Sequence, residues 1–116
     1  MSTTATNRYV EVRVYKLKPG LRDQFHAIAK EAVEMLHRHE ITVVGHGPSV
    51  HDSDSYFLMR AYPSLETREK QLAGFYGSKE WDERFNAKVM GMIESYNTIV
   101  LAADDPAVKT IAKLAV

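Results

Sequence analysis

The chain has 116 residues, no cysteine, and equal numbers of acidic and basic side chains, fifteen of each. This length fits a single domain, the lack of cysteine excludes disulfides and cysteine-based metal sites, and a formal net charge of zero argues against nucleic acid or an anionic membrane surface as a partner. The longest apolar runs are far shorter than the ~20 residues that span a bilayer, and Met1–Asn7 lacks the apolar stretch of a secretion signal, so we expect a cytoplasmic protein.

The first half of the chain is predicted to contain two strands and a helix. We expect a disordered lead-in at 1–8, followed by one domain at 9–116, which begins with a strand whose apolar and mixed side chains alternate. A turn at 17–20 leads into an amphipathic helix over 21–38, whose apolar residues recur at spacings of four and three. The β-branched segment 41–50 contains Pro48, which cannot donate to a β-ladder, so it is predicted to be an edge strand.

The second half repeats this order with one more helix. A strand is predicted at 56–62. Ser64 is a good N-cap for a helix from 65 to about 76, and Ser78 can cap a third helix, in which Trp81 and Phe85 follow core spacing. A short strand at 98–101 and a final helix at 107–115 complete the prediction.

An Arg-x-Tyr pattern occurs in both halves. Arg13-Val14-Tyr15 and Arg60-Ala61-Tyr62 each end a predicted strand and are followed within four residues by a proline. The repeat indicates an α+β, ferredoxin-like fold of order β-α-β-β-α-α-β with a terminal helix. In this fold the first and third strands lie at the centre of the sheet, and the helices cover one of its faces.

The alternation also suggests which face the helices cover. We expect them to cover the uniformly apolar side, which consists of Val10, Val12, Val14, Phe57, Met59 and Ala61. The uncovered side would then carry Tyr9, Tyr15, Tyr56, Leu58 and Tyr62, together with Glu11, Arg13 and Arg60. Because an exposed aromatic face is unfavourable in water, we expect two such sheets to meet there, around an interior that also holds these charges.

Several segments resemble one known family. They are Val12-Arg13-Val14-Tyr15-Lys16-Leu17-Lys18-Pro19-Gly20, Val43-Val44-Gly45, Arg60-Ala61-Tyr62-Pro63-Ser64-Leu65, Phe75-Tyr76 and Glu80-Trp81. On these residues the chain resembles the NIPSNAP family, within the dimeric α/β-barrel superfamily, over roughly residues 9–101. The resemblance implies a homodimer whose two sheets form one barrel, and it implies no established catalytic motif.

Five residues are candidates for a ligand site, and each has a plainer interpretation. Arg13 and Arg60 could anchor a carboxylate or enolate through their planar donors, or they could pair internally with Glu11. Tyr15 and Tyr62 could hydrogen-bond or deprotonate a small phenolic or carbonyl compound, or they could pack at a dimer interface. His46 is the best single candidate for proton transfer because histidine titrates near neutral pH, but it could equally be an interface or surface residue.

Other kinds of site find no support in the sequence. There is no metal-ligand set, no haem motif, no nucleophile elbow and no phosphate-binding glycine loop, so no cofactor is predicted. The leading hypothesis is that a small organic molecule, anionic or aromatic, binds inside the dimeric barrel, and it does not decide whether a reaction follows. The alternative is a non-catalytic dimeric interaction module whose barrel is filled by its own side chains. A cavity of several hundred Å³ beside the arginines would favour the first.

Overall fold

The computed structural model describes residues 6–114 of the chain, so most of the predicted lead-in at 1–8 lies outside the described residues. The elements in chain order are β1 (Tyr9–Leu17), α1 (Arg22–Arg38), β2 (Thr42–Pro48), β3 (Ser55–Tyr62), α2 (Leu65–Tyr76), α3 (Lys79–Trp81), a π-helical turn (Asp82–Asn86), α4 (Ala87–Met92), β4 (Ile93–Ala102) and α5 (Asp105–Leu114). This α+β order confirms the prediction. The last strand is longer than expected, and the third predicted helix contains the π-helical turn. No helix in the described chain is both long and apolar enough to cross a membrane.

The four strands form one antiparallel sheet in the order β2-β3-β1-β4. The first and third strands are therefore central, as predicted, and the proline-containing strand lies at an edge, where a missing N–H donor is tolerated. The pairing of β1 with β3 places Glu11 directly opposite Arg60 and Arg13 opposite Leu58. Residues directly opposite one another share a face of the sheet, so both arginines and Glu11 project to the same side.

Local sequence signals explain several of the element ends. The side chain of Ser64 accepts a hydrogen bond from the backbone N–H of Thr67 and so caps α2, and Ser78 caps α3 in the same way through the N–H of Trp81. Gly20, in the turn between β1 and α1, has φ of 80°, a conformation that glycine adopts without steric penalty.

The π-helical turn joins α3 to α4 without a break in helical backbone. Trp81, Asp82, Asn86 and Ala87 all keep right-handed helical dihedral angles. Across this turn the rings of Trp81 and Phe85 are stacked, with centroids 5.7 Å apart and planes inclined by 25°. Such turns are rare in helices and occur frequently at functional sites.

The prediction of which sheet face the helices cover was wrong. The main core joins the helices to the mixed aromatic face, so the rings of Tyr15, Tyr56 and Tyr62 are buried beneath α1 to α4. The buried members are Tyr15, Leu17, Phe25, Met35, Leu36, Ile41, Tyr56, Leu58, Tyr62, Phe75, Trp81, Phe85 and Val89. A tyrosine ring buries a large area while its hydroxyl finds a polar partner, and this makes the mixed face suitable for packing against helices.

The uniformly apolar face is only partly covered. At one end α5 packs on it through Val108, in a smaller cluster with Val10, Val44 and Ala61. Elsewhere it is open: the side chains of Val14, Ile99 and Leu101 are 47%, 58% and 46% exposed. Phe25 and Leu36, on the apolar side of α1, are buried, and so is Phe85, as its core spacing predicted. Ile28 of α1 is half-buried, and Phe57 and Met59 are also half-buried because these two residues of β3 face the open side.

Candidate functional site

A buried carboxylate organises the polar groups beneath the helices. Glu11 and Arg60 are both 0% exposed, and their Oε1 and Nη2 atoms are 2.5 Å apart. Arg60 also donates from Nε to the same oxygen at 2.5 Å, while Nη2, despite its short charge contact, makes no hydrogen bond of good geometry. Arg68 of α2 donates to Oε2 at 2.6 and 2.9 Å, and Tyr62 donates to Oε1 at 3.4 Å. The carboxylate is thus paired with two guanidinium groups, as a buried charge requires.

The charges around Glu11 outweigh the effect of its burial on proton affinity. Burial by itself would raise the pKa of Glu11, but the adjacent Arg60 charge and the hydrogen bonds from Arg68 and Arg60 bring the pKa below its usual value. Burial also raises the pKa of the Tyr62 hydroxyl above its usual value. Glu11 is therefore ionised and Tyr62 neutral near pH 7, and their roles here are structural.

Tyr76, at the end of α2, connects this cluster to the second arginine. Its hydroxyl accepts a hydrogen bond from Arg60 Nη1 at 2.9 Å and another from Arg13 Nη1 at 3.3 Å. The two arginines therefore converge, as the sequence predicted, but they meet at a tyrosine rather than at an anion. Arg60 is buried and neutralised by Glu11, whereas Arg13 is only partly buried.

A cleft of about 380 Å³ lies beside Arg13, between the β1–β4 side of the sheet and the helical segment from α3 to α4. Its sheet wall includes Arg13, Tyr15 and Tyr96, and its helix wall includes Trp81. The full lining is Arg13, Tyr15, Leu72, Tyr76, Trp81, Asp82, Asn86, Val89, Met90, Ile93 and Tyr96. Asp82 and Asn86 are the first and last residues of the π-helical turn, so this turn supplies the polar groups opposite Arg13.

The guanidinium of Arg13 is held between two tyrosine rings. Its Cζ lies 5.0 Å from the ring centroid of Tyr96 and 5.9 Å from that of Tyr76, both within cation–π range. Arg13 Nε donates to Thr98 Oγ1 at 3.0 Å, and Nη1 donates to Tyr76. Within residues 6–114, no carboxylate lies within ion-pair distance of this guanidinium.

The five predicted site residues separate into three groups. Arg13 and Tyr15 line the cleft, where burial raises the pKa of Tyr15 to about 12 and keeps its hydroxyl neutral. Arg60 and Tyr62 belong to the structural cluster around Glu11. His46 lies elsewhere, on the edge strand β2, and all five project beneath the helices rather than toward the open face where a barrel interior was predicted.

A β-bulge aims His46 at this covered side. Val43 pairs with Arg60 and Gly45 with Met59, so Val44 is an extra residue in β2. Regular alternation would put Val43 and His46 on opposite faces, but the bulge puts both on the covered one, where His46 Nδ1 lies 2.7 Å from Tyr56 Oη. Burial, followed by the nearby His26, Lys30 and His37 charges, lowers the pKa of His46.

Sequence reasoning missed four residues that shape these sites, namely Arg68, Tyr76, Tyr56 and His26. Arg68, Leu72 and Tyr76 recur at spacings of four, which places them on one face of α2, and this signal could have shown that they point at the sheet. Tyr56 and His26 gave no comparable signal, because their contact joins α1 to β3 across 30 residues. Across the described ranges, no group of three or more His, Cys, Asp or Glu side chains is arranged to hold a metal.

Comparison with known proteins points to one family. Residues 10–105 match the NIPSNAP family model. A NIPSNAP family protein from Agrobacterium tumefaciens has a TM-score of 0.77 at 18% identity, with 90% of this chain and 93% of that chain covered. A second, from the same organism and described as of unknown function, has a TM-score of 0.77 at 20% identity, with 90% and 95% covered. No curated protein matches the chain in sequence.

The same fold extends beyond these relatives. A Nitrosomonas europaea protein, provisionally described as an antibiotic biosynthesis monooxygenase, has a TM-score of 0.66 at 15% identity, with 82% of this chain and 97% of that chain covered. At such identities the structural likeness shows the ferredoxin-like fold and carries no activity with it. The match of the family model spans nearly all of the described domain, and the chain belongs to the NIPSNAP family.

Proposed function

We propose that the protein binds a small organic anion with an aromatic or apolar body in the cleft beside Arg13. The observation that carries the proposal is a partly buried guanidinium that faces a cleft of about 380 Å³ and has no carboxylate within ion-pair distance in the described chain. This volume falls within the range of roughly 300–1,000 Å³ typical of small-molecule sites. The proposed binding site is thus a cleft within a single chain, whereas from the sequence we expected it inside the dimeric barrel.

The chemistry of the walls favours this ligand class. A guanidinium offers a planar pair of donors that matches a carboxylate or enolate, and the rings of Tyr76 and Tyr96 lie within cation–π range of Arg13. The rings of Trp81 and Tyr96 and the side chain of Met90 give apolar contacts for the rest of the molecule. The amide of Asn86, across the cleft, can orient a polar substituent.

Benzoate should stabilise the protein, and the effect should depend on Arg13. At a hundredfold excess over its dissociation constant, a ligand that binds only the folded state adds about 2.7 kcal/mol to the free energy of unfolding. We expect differential scanning fluorimetry to show a rise in melting temperature with benzoate that is lost in Arg13→Leu and weakened in Arg13→Lys.

Arg8→Leu is the matched control, because Arg8 is exposed and lies outside the cleft. It should leave the benzoate shift unchanged. If aromatic and aliphatic carboxylates all fail to shift the melting temperature of the unmodified protein, the ligand proposal is wrong and the interaction-module hypothesis replaces it.

The open apolar face supports a homodimer as a second part of the proposal. Val14, Ile99 and Leu101 are each about half exposed on the same side of the sheet, and Val12, Phe57 and Met59 adjoin them. A contiguous apolar patch of this kind is unusual on a monomer. Two copies packed through it would form a barrel filled by their own side chains, which differs from the predicted arrangement of tyrosines and arginines in the interior.

Light scattering at micromolar concentration should therefore report about twice the chain mass of 13.1 kDa. Ile99→Glu should shift the protein toward monomer, because it would bury a carboxylate without a partner in the interface. Val50→Glu is the control, since Val50 is fully exposed in the loop after β2 and away from this face. A monomeric unmodified protein would contradict the dimer while leaving the Arg13 cleft intact.

The two function hypotheses remain distinguishable. The open apolar face and the internally paired Arg60 support a dimeric interaction module, and the Arg13 cleft supports ligand binding, so the carboxylate titration separates the two hypotheses. The cytoplasmic location expected from the sequence stays a prediction.

A further inference from the structure

One buried hydroxyl contacts two histidines. The side chain of Tyr56 is 2% exposed, and its Oη lies 2.7 Å from Nδ1 of His26 on α1 and 2.7 Å from Nδ1 of His46 on β2. Both distances are those of good hydrogen bonds. Neither histidine takes part in the Arg13 cleft or in the cluster around Glu11.

The number of available protons fixes which groups donate and which accept hydrogen bonds in this cluster. A phenol has one proton to donate and can accept from a second donor, and a neutral imidazole carries its proton on one nitrogen only. Tyr56 can therefore donate to one Nδ1, and the other Nδ1 must carry a proton and donate to Tyr56. When both rings are neutral, the two histidines hold opposite tautomers, one with a bare Nε2 and the other with Nε2–H.

We propose that His26, Tyr56 and His46 form a proton-transfer chain that connects the partly exposed surface of α1 to the groove beside β2. A proton that arrives at the bare Nε2 of one histidine makes it an imidazolium, which passes its Nδ1 proton to the Tyr56 oxygen. The Tyr56 proton moves to Nδ1 of the other histidine, whose Nε2 proton leaves. One proton enters and one leaves, and the transfer exchanges the tautomers of the two histidines. The chain is ready for another transfer in the same direction once both histidines have returned to their original tautomers.

The surroundings of the chain suit transfer without lasting charge. Burial, and next the neighbouring Tyr15, raises the pKa of the Tyr56 hydroxyl, so the phenol stays neutral. The charged and titratable groups that face His46 are His26, Lys30 and His37 of α1, and after burial they lower its pKa. The phenyl ring of Phe25, 5.0 Å from the Tyr56 ring, and the Tyr15 ring behind it shield the hydroxyl from the core side.

The His46 end of the chain borders two spaces. His46 lines an open groove of about 360 Å³ together with His37, Val43 and Ala112. It also lines a small apolar cavity of about 40 Å³ beneath α1, of which Tyr56 forms another wall. Tyr15, Tyr76, Trp81 and Val89 line both this cavity and the Arg13 cleft. The chain therefore stands on the far side of the residues that wall the proposed ligand.

A metal site is the other use that two histidines and a tyrosine suggest, and the spacing opposes it. Zn²⁺ binds nitrogen and oxygen at about 2.0–2.2 Å in tetrahedral geometry, which requires ligand atoms about 3.3 Å apart. The nitrogen–oxygen distances here are 2.7 Å. A tyrosinate ligand is further disfavoured because burial raises the pKa of Tyr56.

The test is nitrogen NMR of protein labelled at its histidines, in the absence of any added ligand. At pH 7.5 we expect His26 and His46 to show opposite tautomers. Tyr56→Phe removes only the hydroxyl and keeps the ring that packs in the core, so the histidine with its proton on Nδ1 should change to the Nε2–H form and the two tautomers should become the same. Tyr9→Phe is the control, because it removes a tyrosine hydroxyl on a different strand, β1, and it should leave the tautomers of both histidines unchanged. The same ordinary tautomer at both histidines in the unmodified protein would overturn the proposal.

Proton exchange distinguishes a working chain from a static pair of hydrogen bonds. In Tyr56→Phe the exchange of the His46 ring proton with water should slow by about tenfold or more, since positioned acid–base groups accelerate proton transfer at least this much. Unchanged or faster exchange would mean that the hydroxyl only holds the rings in place. Proton transfer to a bound anion would rest on the proposed function, but the tautomer and exchange measurements do not. A failed benzoate titration would therefore not contradict the proton-transfer chain.

Discussion

Replacing Glu11 with glutamine should lower the free energy of unfolding by about 3–5 kcal/mol, the usual effect of removing one partner of a buried ion pair. Arg60 is 0% exposed and has Glu11 as its charge partner, so the variant leaves a guanidinium in the core with no compensating carboxylate. Arg68 is 23% exposed and can turn toward water. Urea denaturation at pH 7 measures the change, and Arg68→Leu should have a smaller effect than Glu11→Gln.

A double variant separates the charge from the packing. Glu11→Leu combined with Arg60→Met removes both charges and keeps apolar volume, and such replacements of buried pairs are often neutral. We expect the double variant to recover most of the stability that either single substitution loses. If Glu11→Gln loses less than about 1 kcal/mol, the carboxylate is not the charge partner of Arg60 in solution.

The acid side of the stability curve offers a second readout. The folded-state pKa of Glu11 lies below its usual value, so the unfolded chain binds its proton first as the pH falls. The stabilisation from this group is fully present above about pH 4.3, the ordinary pKa of glutamate, and is lost as the pH drops through the folded value. Stability should therefore fall less steeply below this pH in Glu11→Gln than in the unmodified protein.

The sequence predicted the topology because its local signals agree with the tertiary fold. Pro48 marks the edge strand, Ser64 and Ser78 mark helix starts, and apolar spacing identifies Trp81 and Phe85 as core. Each of these signals reflects a backbone requirement that holds wherever the segment lies in the protein. They are therefore readable without knowledge of the neighbours.

The face assignment failed because alternation shows that two faces differ but not which one is covered. The choice of the valine face for the helices assumed that charge excludes burial. Glu11 pairs with the buried Arg60 and with the partly exposed Arg68, so the mixed face can lie in the core, and the valine face is left for another surface. The partner of Glu11 on α2 lies 57 residues away, beyond the reach of any pattern in the strand itself.

His46 illustrates a second limit. Its residue type made it a candidate for proton transfer, but its direction depends on the bulge at Val44, which reverses the expected parity of β2. A bulge adds one residue to a ladder and is defined by the partner strand, so β2 alone does not reveal it. The same limit concealed His26, whose position on the polar side of α1 gave no hint of a contact with β3.

Trp81→Ala should destabilise the protein by about 3–5 kcal/mol, as large aromatic truncations in cores do. The indole is buried and packs against the rings of Tyr76, Phe75 and Phe85 at centroid distances of 4.9, 5.3 and 5.7 Å. Circular dichroism must follow the unfolding, because Trp81 is the only tryptophan available as a fluorescent probe. Trp81→Phe should lose less, since it keeps a ring in the same place.

The space that the indole leaves in Trp81→Ala provides a control for this prediction. Trp81 lines both the small apolar cavity and the Arg13 cleft, so its removal should leave an apolar space between them. A space lined by apolar side chains can accept a small aromatic molecule. Added indole should therefore raise the melting temperature of Trp81→Ala but not that of the unmodified protein, by mass action on the folded state. Equal shifts in both proteins would mean that indole binds elsewhere. A decrease of less than about 1 kcal/mol in the free energy of unfolding of Trp81→Ala would mean that Trp81 is not a core residue between the two spaces.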